Sequence, residues 1–218
     1  AVEMKKVAPA IANLYNTGVD NARTVLGQQV LDPHWTIIAG GPDGTCTEEA
    51  PCSAYTALDD DYPIPPWLAN DSTSLWITAS PADPDANAPP GNHVFRTSFT
   101  LADQAAVDAA LIRGRMAYDD ILTDVKLNGV AVVQGTGSWG FSSWQEFTID
   151  SGFQVGTNTL DFTVQNGGTA SNPMGLRVEF FDIVAGDVPW LTLDKSGGTI
   201  PSGGTDTVTA SIVSTDLP

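Results

Sequence analysis

Basic residues are scarce in this chain: nine Lys and Arg stand against 26 Asp and Glu in 218 residues, a net charge of −17. Too few cations are present to neutralise a phosphate backbone or an anionic lipid surface, which excludes nucleic acid and charged membrane surfaces as partners. Histidine is nearly absent too. His34 and His93 are far apart, neither lies in a Gly-x-Ser-x-Gly setting, and neither has a local partner, so a Ser-His-Asp triad and a zinc cluster both lack their imidazoles. No run of 18 apolar residues exists, which excludes membrane insertion by a spanning helix. Met4-Lys5-Lys6 is not followed by a sustained apolar stretch, so no signal peptide is visible, and a chain opening at Ala1 reads as processed or excised.

Cysteine occurs only as Cys46 and Cys52, with five residues between them. A small loop staple in an oxidising compartment is the simplest use of such a pair. Glutamate is also rare: 21 of the 26 acids are Asp. Aspartate is a poor helix former and a good turn former, so a chain rich in Asp, Gly and Pro favours strands and loops.

Short alternating segments are abundant instead. Leu160, Phe162 and Val164 alternate with Asp161, Thr163 and Gln165; Leu176, Val178 and Phe180 alternate with Arg177, Glu179 and Phe181. A period of two places one face on a core and leaves the other to solvent. Strands are expected at 11–16, 35–38, 75–78, 94–101, 111–118, 124–127, 146–149, 159–165 and 176–183, with a helical turn in 102–110. Asn128-Gly129, Asn166-Gly167-Gly168 and Asn172-Pro173 supply turns. Residues 40–92 read as a long irregular region, the place where a sandwich usually carries its binding loops. The fold class is all-β: an antiparallel jelly-roll β-sandwich over 1–185 with a short β-rich C-terminal tail over 186–218. In that tail, 188–193 and 207–213 have strand composition, but some 30 residues cannot bury a core of their own.

Residues 94–181 resemble the galactose-binding-domain-like jelly roll of carbohydrate-binding modules and glycosidase accessory domains. The likeness is carried by Ala117-Tyr-Asp-Asp120, Asp124-Val-Lys-Leu-Asn-Gly129, Gly156-Thr-Asn-Thr-Leu160 and Gly175-Leu-Arg-Val178. Leu14-Tyr-Asn-Thr-Gly-Val-Asp20, Asp32-Pro-His-Trp35 and Trp67-Leu-Ala-Asn70 extend it to about residues 13–183, toward a variant of secreted and surface-anchored bacterial proteins. The tail, from Pro189-Trp-Leu-Thr-Leu193 to Val213, is similar to the opening strands of Ig-like bacterial surface domains of the BACON type. These resemblances imply a non-catalytic, extracellular or cell-surface bacterial module. No cofactor is required; jelly rolls of this superfamily often carry a structural calcium at one edge, and Asp20 and Glu179 are the nearest equivalents by chain order.

Acidic pairs offer little catalysis. Neighbours on a strand, such as Asp119 and Asp120, point to opposite faces and make a poor acid–base dyad. Asp83-Pro-Asp85-Ala-Asn87 has the opening spacing of an EF-hand loop, but Ala88 replaces the glycine and Val94 the closing glutamate. Tryptophan is the more informative residue, because exposed rings stack on pyranose faces. Trp35, Trp76 and Trp190 sit in strand patterns and belong to cores. Trp139 in a Gly-rich loop, Trp67 after Pro65-Pro66, and Trp144 are the candidates for an exposed ligand platform.

Two functional readings follow. One is a structural or adhesive surface module whose tail donates a strand to copies of itself or to other surface proteins, building a fibre. The other is a carbohydrate-binding module of a secreted glycan-degrading protein, with glycans as partners.

Overall fold

The computed structural model describes residues 11, 13–59, 62–80, 83, 85–135 and 137–181, together with the backbone of 191–193 and 210–212. In chain order its elements are β1 (Leu31–Ala39), β2 (Cys52–Thr56), β3 (Ile77–Thr78), β4 (Asn87–Ala88), β5 (Gly91–Leu101), α1 (Gln104–Ala109), β6 (Ile112–Asp119), β7 (Ile121–Leu127), β8 (Val130–Gln134), β9 (Gln145–Ile149), β10 (Gly156–Asn166), β11 (Asn172–Pro173), β12 (Gly175–Phe181), β13 (Leu191–Leu193) and β14 (Ala210–Ile212). Strands form where apolar and polar residues alternate and stop at turn residues. Between β7 and β8, Asn128 at φ 53° and Gly129 at φ 80° make the left-handed two-residue turn that matches strand twist. The helix is a single short element, capped by the Asp103 carboxylate, which accepts the Ala106 N–H.

A ten-stranded antiparallel ladder runs β8-β7-β10-β5-β1-β2-β3-β12-β6-β9. β8 and β9 stand at its two ends and still touch each other, as do β6 and β7, so the ladder wraps into two facing leaves. This is the all-β jelly-roll sandwich expected from the alternation. Its spine is the pairing of β10 with β5, unbroken from Gly156 opposite Leu101 to Asn166 opposite Gly91. Leu160, Phe162, Val164, Leu176, Val178 and Phe180 are all buried between the leaves. Phe162 on one leaf meets Trp35 at 5.6 Å and Phe147 at 5.9 Å, and Phe147 meets Phe180 at 6.2 Å.

The outward faces depart from expectation. Asp161, Thr163, Arg177 and Glu179 are buried as well. Over β12 the cause is the 62–76 segment, which lies back on the second leaf and builds a small second core from Ile64, Trp67, Trp76 and Ala117, flanked by Leu68, Phe141 and Trp144. Much of the region read as open loop is therefore a cover, and it contributes three short strands. Residues 14–18 are not a strand; they run beside β12, where the Thr17 amide donates to Val178 O at 3.1 Å and Phe180 N–H donates to Asn16 Oδ1 at 2.9 Å. The strands β2, β4, β8 and β11 lie outside the expected ones, and Asn172-Pro173, read as a turn, is β11, paired antiparallel with β4. In the tail, β13 and β14 pair antiparallel with each other, from Leu191 opposite Ile212 to Leu193 opposite Ala210. Trp190 and the boundary at 185 lie outside the described residues.

Candidate functional site

The three candidate tryptophans meet three different fates. Trp67 is only 3% exposed, which corrects the expectation of an open ring. It lies on Gly175, where an added Cβ would come within 2.8 Å of its ring, it meets Trp76 at 4.4 Å, and its Nε1–H donates to Asp119 Oδ2 at 2.8 Å. Its backbone N–H donates to Pro63 O at 2.8 Å, which holds the residue within the cover. Trp144 is half-buried and its ring is already stacked: the guanidinium carbons of Arg115 and Arg177 lie 4.3 and 4.7 Å from its centroid. Trp139 is 68% exposed.

Trp139 is nevertheless held. Its backbone forms a bridge with Ile121, Gly140 O accepts the Tyr118 N–H, and its ring leans on Phe141 at 5.9 Å. Phe141 O in turn accepts the Leu68 N–H at 2.8 Å. The loop thus lies at the β6–β7 corner, next to Asp120, whose Oδ2 accepts the Gly167 N–H at 2.7 Å. Asn172 closes the loop after β10 by donating to Gly167 O and Ala170 O. An indole on a braced loop, with a half-buried carboxylate beside its backbone and another loop alongside, is a ledge for a flat, polar-edged ligand.

Asp20 and Glu179 do not fit a calcium site. Glu179 Oε2 takes Arg115 at 2.6 Å, while Oε1 takes the Ser74 hydroxyl at 2.8 Å and Arg177 at 3.4 Å. Asp20 Oδ1 accepts the Ala22 and Thr24 amides of its own turn. A cation at Glu179 would have to displace two guanidinium groups. Among the described residues no group of three or more His, Cys, Asp or Glu gathers to hold a metal ion.

Asp119 and Asp120 also differ from expectation. Asp119 is the last residue of β6, so strict alternation ends there and the two carboxylates meet. Asp119 is buried, and among the described residues its Oδ1 has no hydrogen-bond donor. Two acceptors in contact need a proton between them. Burial first, and then the Asp120 carboxylate, push Asp119 up to about 8. Asp32, which ties residue 18 to β1 by accepting the Gly18 amide at 2.6 Å, is pushed up to about 6 by burial. An acid whose pKa is raised by folding stabilises the fold most when protonated in both states, and that stability is lost as pH rises through the folded value. Below pH 6.5 the lowered values of His93 and His34, both caused by burial, work against Asp32. Between pH 6.5 and 8 Asp119 dominates. Calorimetry should show the melting temperature falling over that interval, with Asp119→Asn flattening the slope. A wild-type melting temperature that rises from 6.5 to 8 would contradict the assignment.

The cysteines form the expected staple: Cys46 and Cys52 are bonded, with Cα atoms 5.5 Å apart. Such a bond belongs to an oxidising, extracellular setting. No helix among the described residues is long and apolar enough to cross a membrane.

No family model matches the chain, and no curated protein matches it. Among solved structures it is similar to a family 35 carbohydrate binding module from an environmental isolate, at 14% identity and a TM-score of 0.29, over 45% of this chain and 69% of that one. The functional reading therefore rests on this chain's own residues.

Proposed function

We propose that this is a non-catalytic carbohydrate-binding module of a secreted or surface protein, and that Trp139 stacks on a sugar ring of its ligand. The observation that carries the reading is the ring itself. A tryptophan 68% open to water on a well-braced loop exposes a large apolar face that core packing does not explain. Pyranose C–H faces are its natural complement, and the polar groups of the β6–β7 corner and the 167–172 loop are in place for hydroxyls. The galactose-binding-domain-like sequence resemblance points the same way. Asp119, the buried member of the Asp119–Asp120 pair, is roofed by Trp67 and so does not face a cleft across which a glycosidic bond could lie.

The structural or adhesive reading rests on the sandwich pattern, the lack of a catalytic constellation and a tail that reads as the start of a longer array. The described tail strands β13 and β14 pair with each other, so each has one edge satisfied and one outer edge left. Trp139→Ala should weaken binding to the recognised glycan by about fivefold to 150-fold, since a stacked ring contributes on the order of 1–3 kcal/mol. Affinity electrophoresis on polysaccharide gels, followed by calorimetric titration, would measure it. Far-ultraviolet circular dichroism and the melting temperature should stay unchanged, because the residue is 68% exposed and adds little to the core. Wild-type binding with no loss in the variant would sink the ledge.

A further inference from the structure

We infer that the chain carries a second ligand site, a groove on the outer face of the first leaf that takes a stretch of a neutral oligosaccharide. This site lies apart from the Trp139 ledge and shares only its ligand class with the reading above. The groove has a volume of about 560 Å³. Its floor is the outward row of β10, Thr157, Thr159, Asp161 and Thr163, with Val94 and Arg96 of β5 beside it. Seven residues of strand span about 20 Å, the length of several sugar rings in a chain.

Its walls are built. At one side stands the loop stapled by Cys46–Cys52, which carries Glu48; at the other are the Asn128-Gly129 turn and Gln154. Arg96 joins floor to wall. Its Nε and one terminal nitrogen donate to both oxygens of Asp161 at 2.6 and 2.8 Å, and its other terminal nitrogen donates to Glu48 at 2.6 Å. Asp161 is 5% exposed although it faces outward from the sheet. An ion pair sunk into the floor of a braced groove holds its neighbours in fixed positions, which reduces the ordering cost of binding.

The charge pattern selects the ligand class. Arg96 and Lys126 cancel Glu48 and Asp161 among the lining residues, and Lys126 lies 3.6 Å from Asp124. On a chain of net charge −17 this strip is close to neutral, with one negative charge in excess once Asp124 is counted. The Thr157 and Thr159 hydroxyls and the Gln154 side-chain oxygen then provide donors and acceptors without net charge, which suits hydroxyls and suits neither an anion nor a cation. The Asn128 amide braces the wall by donating to Gly152 O and Asn158 Oδ1 and accepting the Thr159 amide. Among the described residues no aromatic ring lines the groove, so recognition there is by hydrogen bonding along a chain, in contrast to stacking at the ledge.

The test is an amide-resolved NMR titration of the folded chain with xylohexaose, cellohexaose and mannohexaose, and with a tetragalacturonate as the acidic control. It is run on wild type, Trp139→Ala and Thr159→Tyr. The expected result is that a neutral hexaose shifts the amides of 94–96 and 157–163 in both wild type and Trp139→Ala, and that Thr159→Tyr, which fills the floor, weakens this at least tenfold while leaving any shifts at 137–144 intact. Shifts confined to 137–144 and 167–172 overturn the groove and leave the ledge standing. Shifts confined to the groove support this inference and overturn the ledge. Groove shifts driven by the tetragalacturonate alone, or no shifts with any probe, overturn the inference.

Discussion

Replacing Arg177 with methionine should lower the unfolding free energy by about 3–5 kcal/mol, the usual cost of removing one partner from a buried ion network. Arg177 is 1% exposed on the outward face of β12. Its Nε donates to Ser74 Oγ at 2.7 Å, one terminal nitrogen donates to Ala69 O, and the other reaches Asp71 at 2.9 Å and Glu179 at 3.4 Å. Four partners on one planar group pin the 69–74 stretch of the cover to the second leaf. Methionine keeps most of the apolar stem but leaves Ala69 O and Ser74 without their donor beneath the cover. Arg177→Lys should recover little, because an ammonium on a flexible stem cannot reproduce the fork. Urea denaturation would measure both variants, and a loss below about 1 kcal/mol in methionine would mean that the cover is held by its apolar contacts alone. The variant should also disturb Trp144 fluorescence, since Arg177 lies over that ring.

Phe162→Ala should cost about 3–5 kcal/mol for a different reason. Phe162 is completely buried at the centre of β10 and bridges the two leaves through Trp35 and Phe147. Removing the ring deletes transfer energy and leaves a cavity walled by rigid aromatics and by strands fixed in register, which cannot collapse to fill it. Phe162→Leu should cost noticeably less. A loss under about 1 kcal/mol for alanine in denaturant melts would mean that β10 presents its other face to the core. The two variants separate two kinds of stability: the first loosens a cover over one leaf, the second loosens the sandwich itself.

Much of the sandwich was legible before folding was considered. The inward set Leu160, Phe162, Val164, Leu176, Val178 and Phe180 follows from period-two alternation, and all six are buried. The Asn128-Gly129 turn follows from the need for two positive φ values. The six-residue separation of the cysteines matches the bond they make. Four strands escaped notice: the two-residue pair β4 and β11, too short to show a pattern, and two longer ones for physical reasons. Val130-Ala-Val-Val133 does not alternate, since it is an edge strand with both faces partly open. Cys52–Thr56 is short, lies among loop residues, and depends on β1 beside it. Residues 11–16 have strand composition, yet 14–18 bond to β12 partly through the Asn16 and Thr17 side chains.

The site was less legible. Trp67, Trp139 and Trp144 all look like loop aromatics in the sequence, and only one of them is an open ring. The Arg96–Glu48 wall and the Arg177–Ser74 anchor join residues 48 and 103 positions apart. Nothing in either local segment announces its partner.

By itself, then, the sequence determined the properties that depend on neighbours in the chain: which faces of β10 and β12 are apolar, where turns can reverse, that two close cysteines can bond, and that an acidic surface will reject polyanions. Tertiary structure alone decided the properties that depend on which distant segments meet. It put the 62–76 cover over β12 and so hid Trp67 and Arg177, it stacked two guanidinium groups on Trp144, and it left Trp139 in the open. The physical reason is that strand alternation is a property of each residue's own backbone, whereas exposure is a property of whatever lands on top of it.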